Sequence, residues 1–242
     1  MSGWITRTAC TNIVAMSTSH KLKIGVIASS GGGVFKELCR LREQADFFVV
    51  TDRACGIEDV CRENQITFLR IEEPDNRLFS ERTAQYLQER GPLDCVLLFF
   101  TRFITSEVFN RFPTINIHPS LLPAFPGLSP IGQAIKGQVK FIGATMHFID
   151  NTPDGGAIVA QTVSSISHRD KQYLGKLSFL QKTMLSYLLI DLLMLGEISW
   201  HQGVGEVKRQ LTQGVNCNPP LTDPNLRKIF QDIEHENGMV IL

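Results

Sequence analysis

The chain predicts an open α/β domain, a mostly parallel sheet with helices on both faces. Three observations lead there. Short apolar runs alternate with stretches of helical periodicity from residue 21 to about residue 117, the mark of repeated strand–helix units. A glycine-rich turn, Ser29-Ser30-Gly31-Gly32-Gly33, follows the first apolar run. The segment Ile115-Asn116-Ile117-His118-Pro119-Ser120-Leu121-Leu122-Pro123 ends a strand with polar side chains, at the place where open α/β sheets receive ligands.

Each element has its own signal. Lys21 to Ala28 is a short apolar run and Val34 to Arg42 has helical spacing across the turn from it, so the chain opens strand, turn, helix. Phe47 to Thr51 reads as a second strand, Ile57 to Asn64 as a helix and Ile66 to Ile71 as a third strand. Pro74 to Glu89 is a charged amphipathic helix. Cys95 to Phe100 is so apolar that it must be buried on both faces, with Leu97 and Leu98 in the core. A short helix at Ser106 to Phe112 precedes the strand Thr114 to Ile117, and right-handed crossovers place the helices on both sides. Beyond Pro123 the rhythm changes. Ser129 to Lys136 looks helical, Phe141 to Ile149 and Ala157 to Ser165 look like adjacent strands, and Gln172 to Leu195 is one long helix. A short hairpin from Ile198 and a helix near Asn225 to Glu234 complete the chain.

Composition narrows the function. Of 242 residues, 24 are Lys or Arg and 24 are Asp or Glu, so the formal net charge is zero and no basic nucleic-acid or membrane surface is expected. The cysteines, Cys10, Cys39, Cys55, Cys61, Cys95 and Cys217, form no Cys-x-x-Cys pair and have no histidine at zinc spacing. They read as reduced thiols of a cytoplasmic protein without a metal site. Residues 1–20 hold no acid and many Ser and Thr, and are expected to be a disordered extension. Residues 21–200 then form the catalytic domain, and residues 201–242 a hairpin and helix packed on or trailing it. The long helix is apolar enough to raise a membrane question, but Gln181, Lys182 and Asp191 interrupt it, favouring a buried helix.

Chemistry gathers in two segments. Alternation puts Asn116 and His118 on one face of their strand, and Pro119 and Pro123 prevent its continuation. The second segment, Asp150-Asn151-Thr152-Pro153-Asp154-Gly155-Gly156, is a turn-rich loop before an apolar strand. If that loop folds over the first segment, Asp154 reaches His118, and the three side chains can polarise a carbonyl and move a proton. Each has a plainer reading alone: a hydrogen-bonded strand end for Asn116 and His118, a turn former for Asp154. His147 lies in an apolar strand, where a satisfied core histidine competes with a supporting role; His168, His201 and His235 have no partner pattern and belong on the surface.

Asn116-Ile117-His118-Pro119-Ser120-Leu121-Leu122-Pro123, Gly143-Ala144-Thr145-Met146-His147-Phe148 and Asp154-Gly155-Gly156, in this order, resemble the motifs of the folate-dependent formyltransferases, and most closely those acting on glycinamide ribonucleotide. The likeness runs from about Lys23 to about Leu195. It implies the Rossmann-like formyltransferase fold and 10-formyltetrahydrofolate as co-substrate, with Asn116, His118 and Asp154 catalytic. It further implies folate contacts from the main chain of Arg102, Phe103 and Ile104 and from Asp150, Asn151, Thr152, Pro153 and Asp154. Ser30, Gly31, Gly32, Gly33 and Pro119 fall where the family binds the acceptor, and Leu122–Pro123 where it carries a cis peptide bond. The partner implied is a small-molecule amine, and the state a monomer or homodimer.

The departures from the family concern the acceptor. Where the family's turn is Gly-x-Gly-Ser-Asn, this chain has Gly31-Gly32-Gly33-Val34, keeping backbone amides but losing two side chains. Lys182 stands where the family offers a glutamate to ribose hydroxyls, and Ser129-Pro130-Ile131 where it has His-x-His. Glycinamide ribonucleotide is the default acceptor that the resemblance implies, but these losses lead to the expectation that it is a poor one and that the acceptor is another amine, such as an amino sugar or hydroxylated amino acid. Competing readings are a 10-formyltetrahydrofolate hydrolase, which shares the Asn, His and Asp but usually has a regulatory domain before them, and a folate-binding pseudo-enzyme. A methionyl-tRNA formyltransferase is disfavoured by the neutral charge and the short stretch after Leu195.

Overall fold

The structure, a computed structural model, describes residues 21–167, 170–201, 204–208 and 216–241. The expected extension over 1–20 and the expected surface position of His168 lie outside them.

In chain order the elements are β1 (Leu22–Ala28), α1 (Gly33–Leu38), β2 (Ala45–Thr51), α2 (Gly56–Glu63), β3 (Phe68–Arg70), α3 (Asn76–Gln88), β4 (Cys95–Phe99), α4 (Ser106–Phe109) and β5 (Thr114–His118). There follow α5 (Pro130–Lys136), β6 (Phe141–Phe148), β7 (Ile158–Ser165), α6 (Lys171–Met194), β8 (Ile198–His201), β9 (Val204–Val207), β10 (Cys217–Asn218) and α7 (Pro224–Asn237). One eight-stranded sheet has the order β10-β7-β6-β5-β4-β1-β2-β3, and β8 with β9 forms a separate hairpin.

The sheet is parallel from β3 to β5. It turns antiparallel where β6, β7 and β10 are added. The strand order reverses at β1, which lies between β2 and β4, so the carboxyl ends of β1, β4 and β5 face one crevice. Alternation along β1 sends Val26 to one face and Ile27 to the other. Val26 joins the larger apolar layer with Leu97, Ile115 and the core of α6. Ile27 joins a smaller one with Leu98, Phe79 of α3 and Val108 of α4. Leu97 and Leu98 are thus core, as their apolar strand predicts.

The long helix α6 could cross a membrane by length and hydropathy, but 78% of that window is buried in the fold. Its Tyr187 hydroxyl donates to the Glu37 carbonyl of α1 at 2.9 Å. The same side chain meets α7 through an edge-on Tyr187–Phe230 contact, with centroids 6.2 Å apart.

Several boundaries differ from the sequence expectation. The first helix ends at Leu38 and tightens into a 3-10 turn, Cys39–Leu41, instead of running to Arg42. The short helix α4 stops at Phe109. The final helix starts one residue earlier and ends three later because Asp223 caps it, accepting from the Asn225 and Leu226 amides, and Gly238 ends it in the left-handed conformation. Strand β10 was invisible to pattern reading because two residues show no period.

Candidate active site

Strand β5 runs one residue further than its pattern suggests, so both polar side chains are held in the sheet. Asn116 pairs with His147 and His118 with Thr145 of β6. Past His118 the chain turns at once, the Ser120 amide donating to the His118 carbonyl at 2.9 Å. Thr145 fixes the proline run from below: its hydroxyl donates to the Ser120 carbonyl at 2.7 Å and accepts from the Leu122 amide at 3.0 Å. Gln161, one strand further out on β7, donates to the Leu122 carbonyl at 3.0 Å. The run is thereby bound to the sheet from two strands, and the Leu122–Pro123 peptide is cis.

His118 is buried, at 6% exposure. Its Nε2 lies 2.9 Å from the Phe125 carbonyl. A carbonyl only accepts, so Nε2 carries a proton. Its Nδ1 faces Asp154 Oδ1 across 3.5 Å. The other carboxylate oxygen of Asp154 accepts from the Gly127 amide at 2.7 Å. Both members of the pair are therefore anchored by the loop after the proline run. That loop can approach so closely because Phe125, Gly127 and Ser129 all take positive φ, at 54°, 76° and 55°. Asp154 itself has φ 51°, a conformation aspartate tolerates better than most residues.

Asn116 is positioned by His147. His147 Nδ1 lies 2.9 Å from the Phe148 carbonyl and so bears the proton of a neutral ring. Its Nε2 then accepts from Asn116 Nδ2 at 3.3 Å, which decides which way the amide points. Burial holds the His147 pKa below its ordinary value of 6.5, against the opposing Phe148 hydrogen bond, so this ring stays neutral. His147 Nε2 also lies 3.9 Å from Asp154 Oδ1. The supporting role is thus the geometry His147 has; sequence left it open because the pairing needs the β5–β6 register. Phe125 and Gly127 were missed altogether, since they act through the main chain.

The loop from Asp150 to Pro153 is exposed and ordered by an Asx turn, Asp150 Oδ1 accepting from the Thr152 amide at 2.7 Å. Gly156 closes it against β6: a Cβ there would run into the Phe148 carbonyl. Arg102 is turned away from this crevice. Its guanidinium donates to Asn76 Oδ1 and to the Glu73 and Pro74 carbonyls, at 2.7 to 3.1 Å, and lies over the Phe79 ring. Only its main chain is left for a ligand. Phe103 is 66% exposed and Ile104 buried.

In the turn after β1, Ser30, Gly31 and Gly33 are exposed while Gly32 is buried. A Cβ on Gly32, at φ 81°, would meet the Ile57 main chain at 2.8 Å, so packing against α2 explains that glycine. Pro119 is half-buried beside His118. No group of three His, Cys, Asp or Glu side chains able to hold a metal occurs among the described residues.

The doubly wound sheet that carries this site is that of the formyl transferases, and residues 22–182 match that family's model. The chain belongs to the formyl transferase family. It is 45% identical over 87 residues to formyltetrahydrofolate deformylase of Haemophilus influenzae, covering 35% of this chain and 31% of that one. It is 52% identical over 56 residues to phosphoribosylglycinamide formyltransferase of Bacillus subtilis, covering 23% and 29%. The chain spans about a third of the length of these curated relatives. Among solved structures, glycinamide ribonucleotide transformylase 1 of Symbiobacterium toebii superposes with a TM-score of 0.70 at 28% identity, over 78% of this chain and 94% of that one. A formyltetrahydrofolate deformylase of Pseudomonas syringae pv. tomato shares the fold, with a TM-score of 0.69 at 23% identity over 78% and 66%.

Proposed function

We propose that this chain transfers the formyl group of 10-formyltetrahydrofolate to the amine of a small molecule. One observation carries the reading: Asn116, His118 and Asp154 converge at the carboxyl edge of the sheet, with His118 and Asp154 3.5 Å apart. The acceptor nitrogen attacks the formyl carbon, and the carbonyl oxygen becomes an oxyanion. Asn116 spends one amide hydrogen on His147 and has the second for that oxygen. Such a donor is worth about two to three decades in turnover. The new C–N bond forms with loss of a proton from the amine, accepted by the His118–Asp154 pair directly or through water. Collapse breaks the bond to N10 of the folate, which takes a proton in return.

The main chain of Arg102, Phe103 and Ile104 and the loop from Asp150 to Asp154 would hold the pterin. Ser30, Gly31, Gly33 and Pro119 would face the acceptor. The lost Ser and Asn side chains of the turn, and Lys182 in place of an acid, make glycinamide ribonucleotide a poor acceptor in this reading. The protein would act in the cytoplasm as a monomer or homodimer, with neither nucleic acid nor membrane as partner.

Hydrolysis is the second reading, favoured by the identity to formyltetrahydrofolate deformylases. Water then replaces the amine before the same three side chains. Supplying formyl-labelled 10-formyltetrahydrofolate with a panel of amines separates the two. Label in N-formyl product supports transfer; label in formate alone, whatever the amine, replaces it with hydrolysis; folate binding with neither product makes the chain a folate-binding module.

A further inference from the structure

Helix α6 carries a polar strip to which the formyl chemistry gives no task. Phe179 faces α1, since a Cβ on Gly33 would sit 3.6 Å from its ring. Gln181 faces the sheet, donating to the Ile142 carbonyl at 3.2 Å and to Ser164 Oγ at 3.1 Å. With about 100° per residue, Lys182 falls between those two directions, in the wedge between α1 and the sheet. Ser178, four residues earlier, shares its face, as does Gly175. Helical side chains lean toward the helix N-terminus, so Lys182 reaches back toward the level of Gly33 and the carboxyl edge where His118 lies.

Two groups on this strip lack partners. Ser178 is 3% exposed and its Oγ has no hydrogen bond, whereas Thr183 and Ser186 of the same helix bond the carbonyls one turn back at 2.9 and 2.8 Å. Lys182 is half-buried, and burial is the only influence on its ammonium, pushing its pKa down with no carboxylate to oppose it. A buried hydroxyl without a partner and, one turn on, a half-buried lysine with no carboxylate beside it put two donors on one strip. The strip is open at one end: Gly175 is exposed, and a Cβ there would meet nothing within 4 Å.

We propose that Ser178 and Lys182 form an anion subsite, so that the formyl acceptor is a primary amine carrying a carboxylate or phosphate that docks against α6. This rests on the transfer reading for the amine but not for the anion. Strands β1 and β5 are two spacings apart, roughly 9–10 Å, so one small molecule can reach both the strip and His118. A lysine in this wedge repels the cationic end of a neutral or polyamine acceptor and favours one bearing a negative charge.

Binding and turnover test the two parts separately. With lysines isotopically methylated and the Lys182 signal identified by its absence in Lys182→Met, inorganic phosphate and acetate are titrated at constant ionic strength. The Lys182 signal is expected to move with at least one of them, and which one distinguishes a phosphate from a carboxylate ligand. Indifference to both overturns the subsite. In turnover, Lys182→Met is expected to raise KM for anionic amines about 10- to 100-fold, the worth of a hydrogen bond to a charged group. Its kcat, and KM for uncharged amines, should hold. Ser178→Ala should raise the same KM less. Equal KM changes for anionic and uncharged amines would show the strip to be structural only. Formate as sole product would defeat transfer while the titration still decides the anion subsite.

Discussion

His118 has one ring nitrogen on a carbonyl and the other facing a carboxylate, the arrangement of a group that passes a proton. His118→Ala is expected to lower kcat by about two to four decades, the range of general acid–base catalysis. A well-folded variant with near-normal turnover would dismiss the assignment. Asp154→Asn keeps an acceptor for the Gly127 amide but removes the charge facing His118. We expect a kcat loss of about two decades or more, with folate affinity unchanged; an equal loss of affinity would make Asp154 a pterin ligand alone. That Asn116, His118 and Asp154 stand together was legible in the sequence because prolines and glycines fix where they stand. His147 was legible only as an alternative, because its bond to Asn116 depends on a cross-strand register that no local pattern encodes. The anchors at Phe125 and Gly127 left no trace, since any residue supplies a carbonyl and nearly any an amide.

Among the elements, the β6–β7 turn bears most directly on the chemistry. Gly156 abuts the Phe148 carbonyl, a main-chain neighbour that cannot swing aside. Gly156→Ala is therefore expected to push the turn outward and carry Asp154 away from His118. The cost should be about 1 to 3 kcal/mol, as for other overpacked sites. Calorimetry would show it as a melting temperature several degrees lower, since each kcal/mol shifts a domain of this size by about 2 to 4 °C. An unchanged kcat would mean that the turn does not set the pair's geometry. Strands and helices up to β5 were readable because both faces of the parallel strands are buried and write continuous apolar runs, as in Cys95–Phe99. Boundaries failed where a cap or a tightened turn decides them, at Cys39–Leu41 and Asp223.

At the scale of the whole molecule, acid is expected to weaken the fold in two stages. His147 is held neutral by burial, below its ordinary 6.5, so the stability it contributes is complete above that pH and lost as pH falls beneath it, the unfolded chain taking up a proton the folded one refuses. Glu58 is buried, and hydrogen bonds from Arg70 hold its carboxyl below its ordinary 4.5 despite desolvation, with Thr51 adding to the effect. Its contribution is present above 4.5 and disappears as pH falls through the lowered value. Melting temperature against pH should thus decline below about 6.5 and more steeply below about 4.5. Glu58→Gln should cost about 1 to 3 kcal/mol at neutral pH, with screening of the partly exposed Arg70 favouring the low end, and should flatten the lower limb. An unaltered limb would exclude Glu58 as its cause.

The reacting groups hang on β5 and the β6–β7 turn, whereas Ser30, Gly33, Ser178 and Lys182 belong to α1, its approach and α6. Sites on separate elements with no shared partners change nearly independently. Under the transfer reading, a lineage of such chains can exchange one amine for another through single substitutions on two helices, while the reaction itself is inherited intact.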